Sequence, residues 1–418
     1  MPKLTKLKAL EILDSRGNPT LQVEAILDGK FCGVAGVPSG ASTGSHEALE
    51  LRDNDSRFHG KGVSQAVKNV NETIAKVLLN SEIKDPIKLD KKLISLDGTK
   101  NKSKLGANAI LGVSLAITKA LARSRNLSFY EYLAEVYKFP NKFQKFPRPM
   151  FNVVNGGLHA DSGLSFQEFM LVPKTKSFPE DVRCGAEIFH SLAKILKSKG
   201  LSTLVGDEGG FAPKLRTNEE PLQLLDQAVE QAGYKLGKDV ELGLDAAATQ
   251  LLKPEGNYAL ALEGKGLSAE QMTALYLEWH KKYHLFLVED GLAEDDWENW
   301  KNLTLELSKA GMLVVGDDIF VTNTERLKKG IEKAVANAIL IKVNQIGTMT
   351  ETMQAIKLAQ KNNYQVVISH RSGETCDSTI ADLALACGAD FIKAGSLSRG
   401  ERLAKYNRLL NIWSELHD

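Results

Sequence analysis

Leu285-Phe-Leu-Val-Glu-Asp290 is a short apolar run that stops at two acids, and Met312-Leu-Val-Val-Gly-Asp-Asp318 repeats the pattern one segment later. Ahead of the first run, Ser268 to Tyr283 reads as an amphipathic helix that opens with the capping-box pattern Ser268-x-x-Gln271. Working outward, the rhythm extends through Met170-Leu-Val172, Val240 to Leu244, Ala338 to Val343, Val366 to Ser369 and Phe391-Ile392. A strand with one wet face alternates apolar and polar residues. Runs that are apolar throughout are buried on both faces, and helices between them imply parallel strands covered by those helices. The roughly 280 residues from 140 to 418 match the length of a TIM-type α/β barrel, which the pattern predicts. An open doubly wound sheet is the rival, but no Gly-rich first turn supports it.

The chain ahead of the barrel reads differently. Thr20-Leu-Gln-Val-Glu-Ala-Ile-Leu27 alternates, Asp28-Gly29 supplies a tight turn, and Phe31 to Val37 returns, which is a hairpin signature. Helical spacing follows: Val67, Val70, Ile74, Val77 and Leu78 share a face, a second helix runs near Asn108 to Arg123, and a third occupies Phe129 to Tyr137. Strands followed by segregated helices predict a small α+β domain. Pro140, Pro147 and Pro149 then favour an extended linker, which sets the expected domains at 1–139 and 140–418.

Composition excludes several classes of function. With 53 basic and 52 acidic residues the net charge is +1, so neither a basic face for nucleic acid nor an acidic tail is implied. Hydrophobic residues at 43% supply enough material for a large core. The start has no apolar signal region, and Leu105 to Ala122 is broken by Asn108, Ser114, Thr118 and Lys119, so neither secretion nor a membrane span is expected. Cys32, Cys184, Cys376 and Cys387 form no CxxC pair, which argues against zinc and disulfide scaffolds. The expectation is a soluble protein of the reducing cytoplasm.

Nearly every strand candidate ends in an acid or a base. Leu204-Val205-Gly206 runs into Asp207-Glu208, Leu244 into Asp245, Val288 into Glu289, Gly316 into Asp317, Ile341 into Lys342, Ser369 into His370-Arg371, and Ile392 into Lys393. From Glu289 onward the intervals are 23 to 28 residues, about one βα unit each, so these side chains should meet at the C-terminal mouth of the barrel. Helix caps would explain one such acid but not the whole succession with two lysines in it, since an inward lysine needs partners. Asp245, Glu289 and Asp317 offer carboxylates without nitrogen or sulfur ligands, a set suited to Mg²⁺. Lys342, Lys393 and Arg371 opposite them would hold an anion. Mg²⁺ and Lys393 would lower the pKa of Lys342 enough for it to act as a base, which suggests removal of a proton α to a carboxylate.

Ser15-Arg-Gly-Asn-Pro-Thr20, Pro38-Ser-Gly-Ala-Ser-Thr-Gly44, Asn155-Gly-Gly157, Gln167-Glu168, Gly206-Asp-Glu-Gly-Gly210, Lys342-Val-Asn-Gln345, Ser369-His-Arg-Ser-Gly-Glu374 and Lys393-Ala-Gly-Ser396 together resemble the enolase family, in order and over almost the whole chain. A lysine or histidine base with Mg²⁺ is the established pattern of that superfamily, so its agreement with the strand-end residues is no independent derivation. The resemblance implies reversible dehydration of 2-phospho-D-glycerate to phosphoenolpyruvate in glycolysis. It implies Lys342 as the base at C2 and Glu208 as the acid at the C3 hydroxyl. Two Mg²⁺ per site are implied, one on Asp245, Glu289 and Asp317, the other on Ser42. Arg371 and Ser372 would grip phosphate, Lys393 the carboxylate, and His159, Gln167, Glu168 and His370 the rest of the substrate. Glu208 must carry a proton when hydroxide leaves, so neighbouring acids are expected to raise its pKa. Gly40 and Gly44 could hinge the Ser42 loop over the site.

A homodimer is also implied, although two positions depart from the family pattern. Leu10 stands where enolases carry an arginine that reaches the partner subunit, and Asn411-Ile-Trp-Ser-Glu-Leu416 replaces the usual acidic ending, leaving Trp413 as an apolar substitute. A superfamily enzyme acting on an unphosphorylated acid would not need Arg371-Ser372, the Ser42 loop or Glu208. A binding protein that had lost catalysis would lack Lys342, Glu208 or a metal carboxylate, and all are present. No motif calls for a secondary surface partner. His59, His190, His280 and His284 are expected at the surface or in packing, and Cys376 as a small buried filler.

Overall fold

The computed structural model describes residues 2–41, 44–140 and 143–417. Strands β1 (Leu4–Leu13), β2 (Pro19–Leu27) and β3 (Phe31–Gly36) form an antiparallel sheet in that order. Asp28 and Gly29 take positive φ (51° and 67°), the left-handed conformation that a tight Asp-Gly turn requires. Leu21, Val23, Ala25 and Leu27 are all buried, and helix Ala107–Ser124 packs on the sheet. At Gly33 a Cβ would lie 2.0 Å from the Ala116 carbonyl oxygen, so only glycine lets sheet and helix approach this closely. The stripe expected at Val67, Val70, Ile74, Val77 and Leu78 is buried at Val70, Ile74 and Leu78 and half-buried at Val67, but Val77 is exposed. A π turn at Asn69–Ile74 widens the helix there and rotates the residues after it off the ideal face.

The remaining chain builds a closed barrel from β4 (Arg148–Asn155), β5 (Glu168–Pro173), β6 (Val240–Asp245), β9 (Leu285–Glu289), β10 (Leu313–Gly316), β11 (Ala338–Ile341), β12 (Gln365–Ser369) and β13 (Phe391–Lys393), with β13 pairing back to β4. A two-stranded ribbon, β7 (Tyr258–Leu260) and β8 (Lys265–Leu267), lies outside it. Met150, Met170, Leu287, Val315, Leu340 and Val367 are among the side chains that fill the barrel. The architecture is thus an N-terminal α+β domain followed by a C-terminal α/β barrel, as the apolar runs predict.

Two features correct the sequence reading. β5 runs antiparallel to both β4 and β6, whereas parallel strands are expected throughout. Residues 156–167 carry only a short 3-10 turn, Gly157–His159, and without a crossover helix the chain returns as a hairpin does. Leu204-Val205-Gly206 is not a barrel strand either. Leu204 is 79% exposed and Val205 makes only an isolated bridge to Phe211, so Glu208 sits on the loop between helices Phe178–Ser198 and Glu220–Gln231.

The N-terminal elements dock on the barrel's outer helices. Buried Asp90, on helix Pro86–Asp97, accepts hydrogen bonds from the Thr350 backbone N–H (2.9 Å) and Oγ1 (2.6 Å), and burial pushes its carboxyl up to about 6. Lys102 pairs with Glu351 at 3.0 Å beside this contact. Among the described residues no helix is long and apolar enough to cross a membrane.

Candidate active site

Strand direction decides which side chains meet. Asp245, Glu289 and Lys393 are the last residues of β6, β9 and β13. Asp317, Lys342 and His370 directly follow β10, β11 and β12. Because β5 is reversed, its first residue, Glu168, reaches the same mouth, where it pairs with Asp245 across the sheet. Lys342, Lys393, His159, Gln167, Glu168, Glu208, Asp245, Ser369, His370, Arg371 and Ser372 line one cleft. Glu289 and Asp317 are buried behind it: Glu289 neighbours Asp245 across the sheet, and Asp317 lies two residues beyond Val315, the partner of Glu289 on β10.

The carboxylates share too little positive charge. The Lys393 ammonium lies 2.9 Å from Glu168 Oε2, 2.8 Å from Glu289 Oε2 and 3.2 Å from Asp245 Oδ2. Burial works to lower its pKa, but these carboxylates outweigh burial and hold it well above the ordinary lysine value. Burial and then the Asp245 charge push Glu289 up to about 8. Glu289 Oε1 is buried with no hydrogen-bond partner among the described residues. An all-carboxylate corner with an orphaned oxygen, gathered at adjoining strand ends, fits a hard divalent cation on Asp245, Glu289 and Asp317.

Among the described residues, the groups that bring ligand-type atoms within 4.8 Å of one another are not this trio but Asp290 with Asp317 and Asp318, and His159 with Glu168 and Glu208. In the first, both Asp290 oxygens are taken by the backbone N–H groups of Asp317 (2.9 Å) and Asp318 (2.8 Å), so Asp290 clips the chain after β10 in place. The second gathers an imidazole and two carboxyls. His159 Nδ1 lies 3.5 Å from Glu168 Oε1 and 3.6 Å from Glu208 Oε1, between the two carboxyls.

The surroundings of Glu208 correct the expectation for it. Burial favours the neutral acid, but the hydrogen-bonded His370 ring and the buried Arg402 guanidinium hold Glu208 well below the usual carboxylate range. The raised carboxyl is Glu168, pushed well up by burial and by the charge of Glu208. Burial lowers both imidazoles, His370 to about 3. At Lys342 burial and the Arg371 and Lys393 charges work downward, yet the Asp317 carboxylate in contact with its ammonium wins and raises it. Asp317 also accepts a hydrogen bond from Gln345 Nε2 at 2.9 Å.

Arg371 is held by a residue the sequence reading missed. Its guanidinium forms a two-pronged ion pair with Glu47 (2.8 and 3.1 Å) and donates to Asn344 Oδ1 at 3.0 Å. The Ala41 backbone N–H donates to Ser372 Oγ at 2.6 Å, and Ser39 exchanges backbone hydrogen bonds with Gly373. The loop that carries Ser42 is therefore anchored beside Arg371 and Ser372, but Ser42 itself lies outside the described residues. Arg402, buried among the backbone carbonyls behind His370, was also missed. Neither Glu47 nor Arg402 has a local pattern to betray it, because their partners lie far away in sequence.

His59, His190 and His284 are exposed, and His280 Nδ1 lies 2.8 Å from the Leu285 carbonyl oxygen. Cys376 is exposed rather than a buried filler, since it lies on the loop after β12, outside the packed helices. Leu10 is 41% exposed on β1, and Trp413 packs against Phe146 of its own chain with ring centroids 4.9 Å apart.

Two family models match this chain. The one described as "Enolase, N-terminal domain" matches residues 4–133, and "Enolase, C-terminal TIM barrel domain" matches residues 144–418.

Proposed function

Because the chain belongs to the enolase family, and so is a lyase of the enolase superfamily, we propose that its own reaction is the reversible dehydration of 2-phospho-D-glycerate to phosphoenolpyruvate. The observation that carries this reading is one cleft lined by an amine (Lys342), an anion grip (Arg371, Ser372) and a carboxyl cluster (Glu208, Glu168). An unphosphorylated acid would leave the grip unused.

In the reaction so assigned, Lys342 Nζ takes the C2 proton and the electron pair moves toward the substrate carboxylate, which Lys393 faces. Glu208 gives a proton to the C3 hydroxyl, the C3–O bond breaks and water leaves. Mg²⁺, two per site, would be held by Asp245, Glu289 and Asp317 and at Ser42, and would supply positive charge for the developing dianion. The anionic substrate entering beside Glu208 raises the pKa of that carboxyl. The cleft walls His159, Gln167 and His370 orient substrate and exclude water. Family membership further implies a glycolytic, cytoplasmic homodimer, and we place the domain division near residue 140.

Substrate choice tests this reading: phosphoenolpyruvate should form from 2-phosphoglycerate, and unphosphorylated glycerate should stay unchanged. Glu47 makes a second prediction, because its carboxylate occupies the fork of Arg371 that a phosphate would use. Glu47→Gln should tighten binding of inorganic phosphate by the order of tenfold in isothermal titration, the loss of one charge-assisted pair. Unchanged or weaker binding would show that Arg371 is not the phosphate grip.

A further inference from the structure

Arg402 lies near the start of helix Gly400–His417 and is fully buried. Its Nη1 is 2.5 Å from His370 Nδ1 and donates to the Arg371 carbonyl oxygen at 2.6 Å. Its Nη2 donates to the carbonyl oxygens of Ser372 (2.5 Å) and Asp207 (3.1 Å) and to Ser15 Oγ (3.2 Å). A guanidinium has donors and no acceptor, so His370 Nδ1 has to accept. Burial keeps the ring neutral, with one proton to place, and that proton belongs on Nε2. His370 Nε2 lies 3.3 Å from Glu208 Oε2. Asn152 Nδ2 donates to the same oxygen at 3.0 Å.

We propose that Arg402 is a positioning residue for the acid: by claiming His370 Nδ1 it fixes the Nε2–H tautomer, which together with Asn152 pins Glu208 through Oε2 and leaves Oε1 to exchange the proton with substrate. Without Arg402 the imidazole can turn over or change tautomer, and a bare ring nitrogen would then face a carboxylate. Arg402 also joins the Ser15, Asp207 and His370–Ser372 segments, a structural role that by itself predicts nothing about the tautomer. The acid role rests on the reaction proposed above, whereas the tautomer does not.

The test is a long-range ¹H–¹⁵N spectrum of histidine-labelled protein near neutral pH, with His370 assigned by its loss in His370→Gln. The expected result is a protonated Nε2 and a bare Nδ1 in the natural protein and in Arg402→Lys, whose ammonium is also donor-only. In Arg402→Met that signature should be lost. Dehydration should then fall by the order of 10²-fold or more, as when a catalytic histidine is held in the wrong tautomer, while C2 proton exchange stays within about threefold. A proton on Nδ1, or on both nitrogens, in the natural protein overturns the proposal even if Arg402→Met fails to fold. So does an Arg402→Met variant that keeps the Nε2–H signature. If the signature behaves as expected but 2-phosphoglycerate is not turned over, the assigned reaction and the acid role fall together, and the tautomer assignment stands.

Discussion

Lys342→Ala should abolish exchange of the C2 proton of 2-phosphoglycerate with solvent, and phosphoenolpyruvate formation with it, by about 10⁴-fold, the upper range for loss of a general base. Removing the amine should leave nothing on that wall of the cleft to accept the proton. Lys393, the other amine lining the cleft, is tied to three carboxylates and held strongly protonated. The side chain of Lys342 is 14% exposed and contacts Asp317, so its truncation empties part of the cleft rather than the barrel core. Circular dichroism and thermal unfolding should therefore stay close to those of the natural protein. Exchange is followed by NMR in deuterated water. Exchange that persists in Lys342→Ala would place the base elsewhere.

Glu208→Gln should separate the two half-reactions. The amide matches the carboxyl in size, and its oxygen can still accept from Asn152 Nδ2 and His370 Nε2, so the surroundings are preserved. It cannot deliver a proton to the departing hydroxyl. Dehydration should fall by about 10² to 10⁴-fold, while C2 exchange, which Lys342 performs, stays within about tenfold. Parallel assays of exchange and phosphoenolpyruvate formation give the ratio. Normal turnover by Glu208→Gln would rule out Glu208 as the acid, and Glu168, whose pKa burial and the Glu208 charge push up, would be the next residue to replace.

The barrel was legible because burial on both faces writes itself into the sequence as unbroken apolar runs such as Leu285 to Val288. The reversal of β5 was not. Met170-Leu-Val172 is as apolar as a parallel strand, and direction depends on whether the preceding connection holds a helix. That reversal brings Glu168 to the mouth, so a residue carried over from family motifs gains a geometric reason only in three dimensions. Leu204-Val205 misled for a related reason: a short apolar run does not say whether it is buried, and Leu204 is largely exposed.

Candidate site residues at strand ends could be listed from spacing, but their charge states could not be read. Glu208 is held low and Lys342 high by side chains on other segments: His370 and Arg402 for the one, Asp317 for the other. Glu47 and Arg371 are 324 residues apart, and no periodicity connects them. Such pairs arise when an N-terminal loop folds over the barrel mouth, a contact that only the assembled fold specifies.

The most direct measurement is phosphoenolpyruvate formation from 2-phosphoglycerate, followed by ultraviolet absorbance in Mg²⁺ and again after excess chelator. Turnover that stops with chelator and resumes with added Mg²⁺ is the predicted result. Folded protein that forms no phosphoenolpyruvate in Mg²⁺, or forms it at the same rate in chelator, would contradict the metal-assisted dehydration assigned to this cleft.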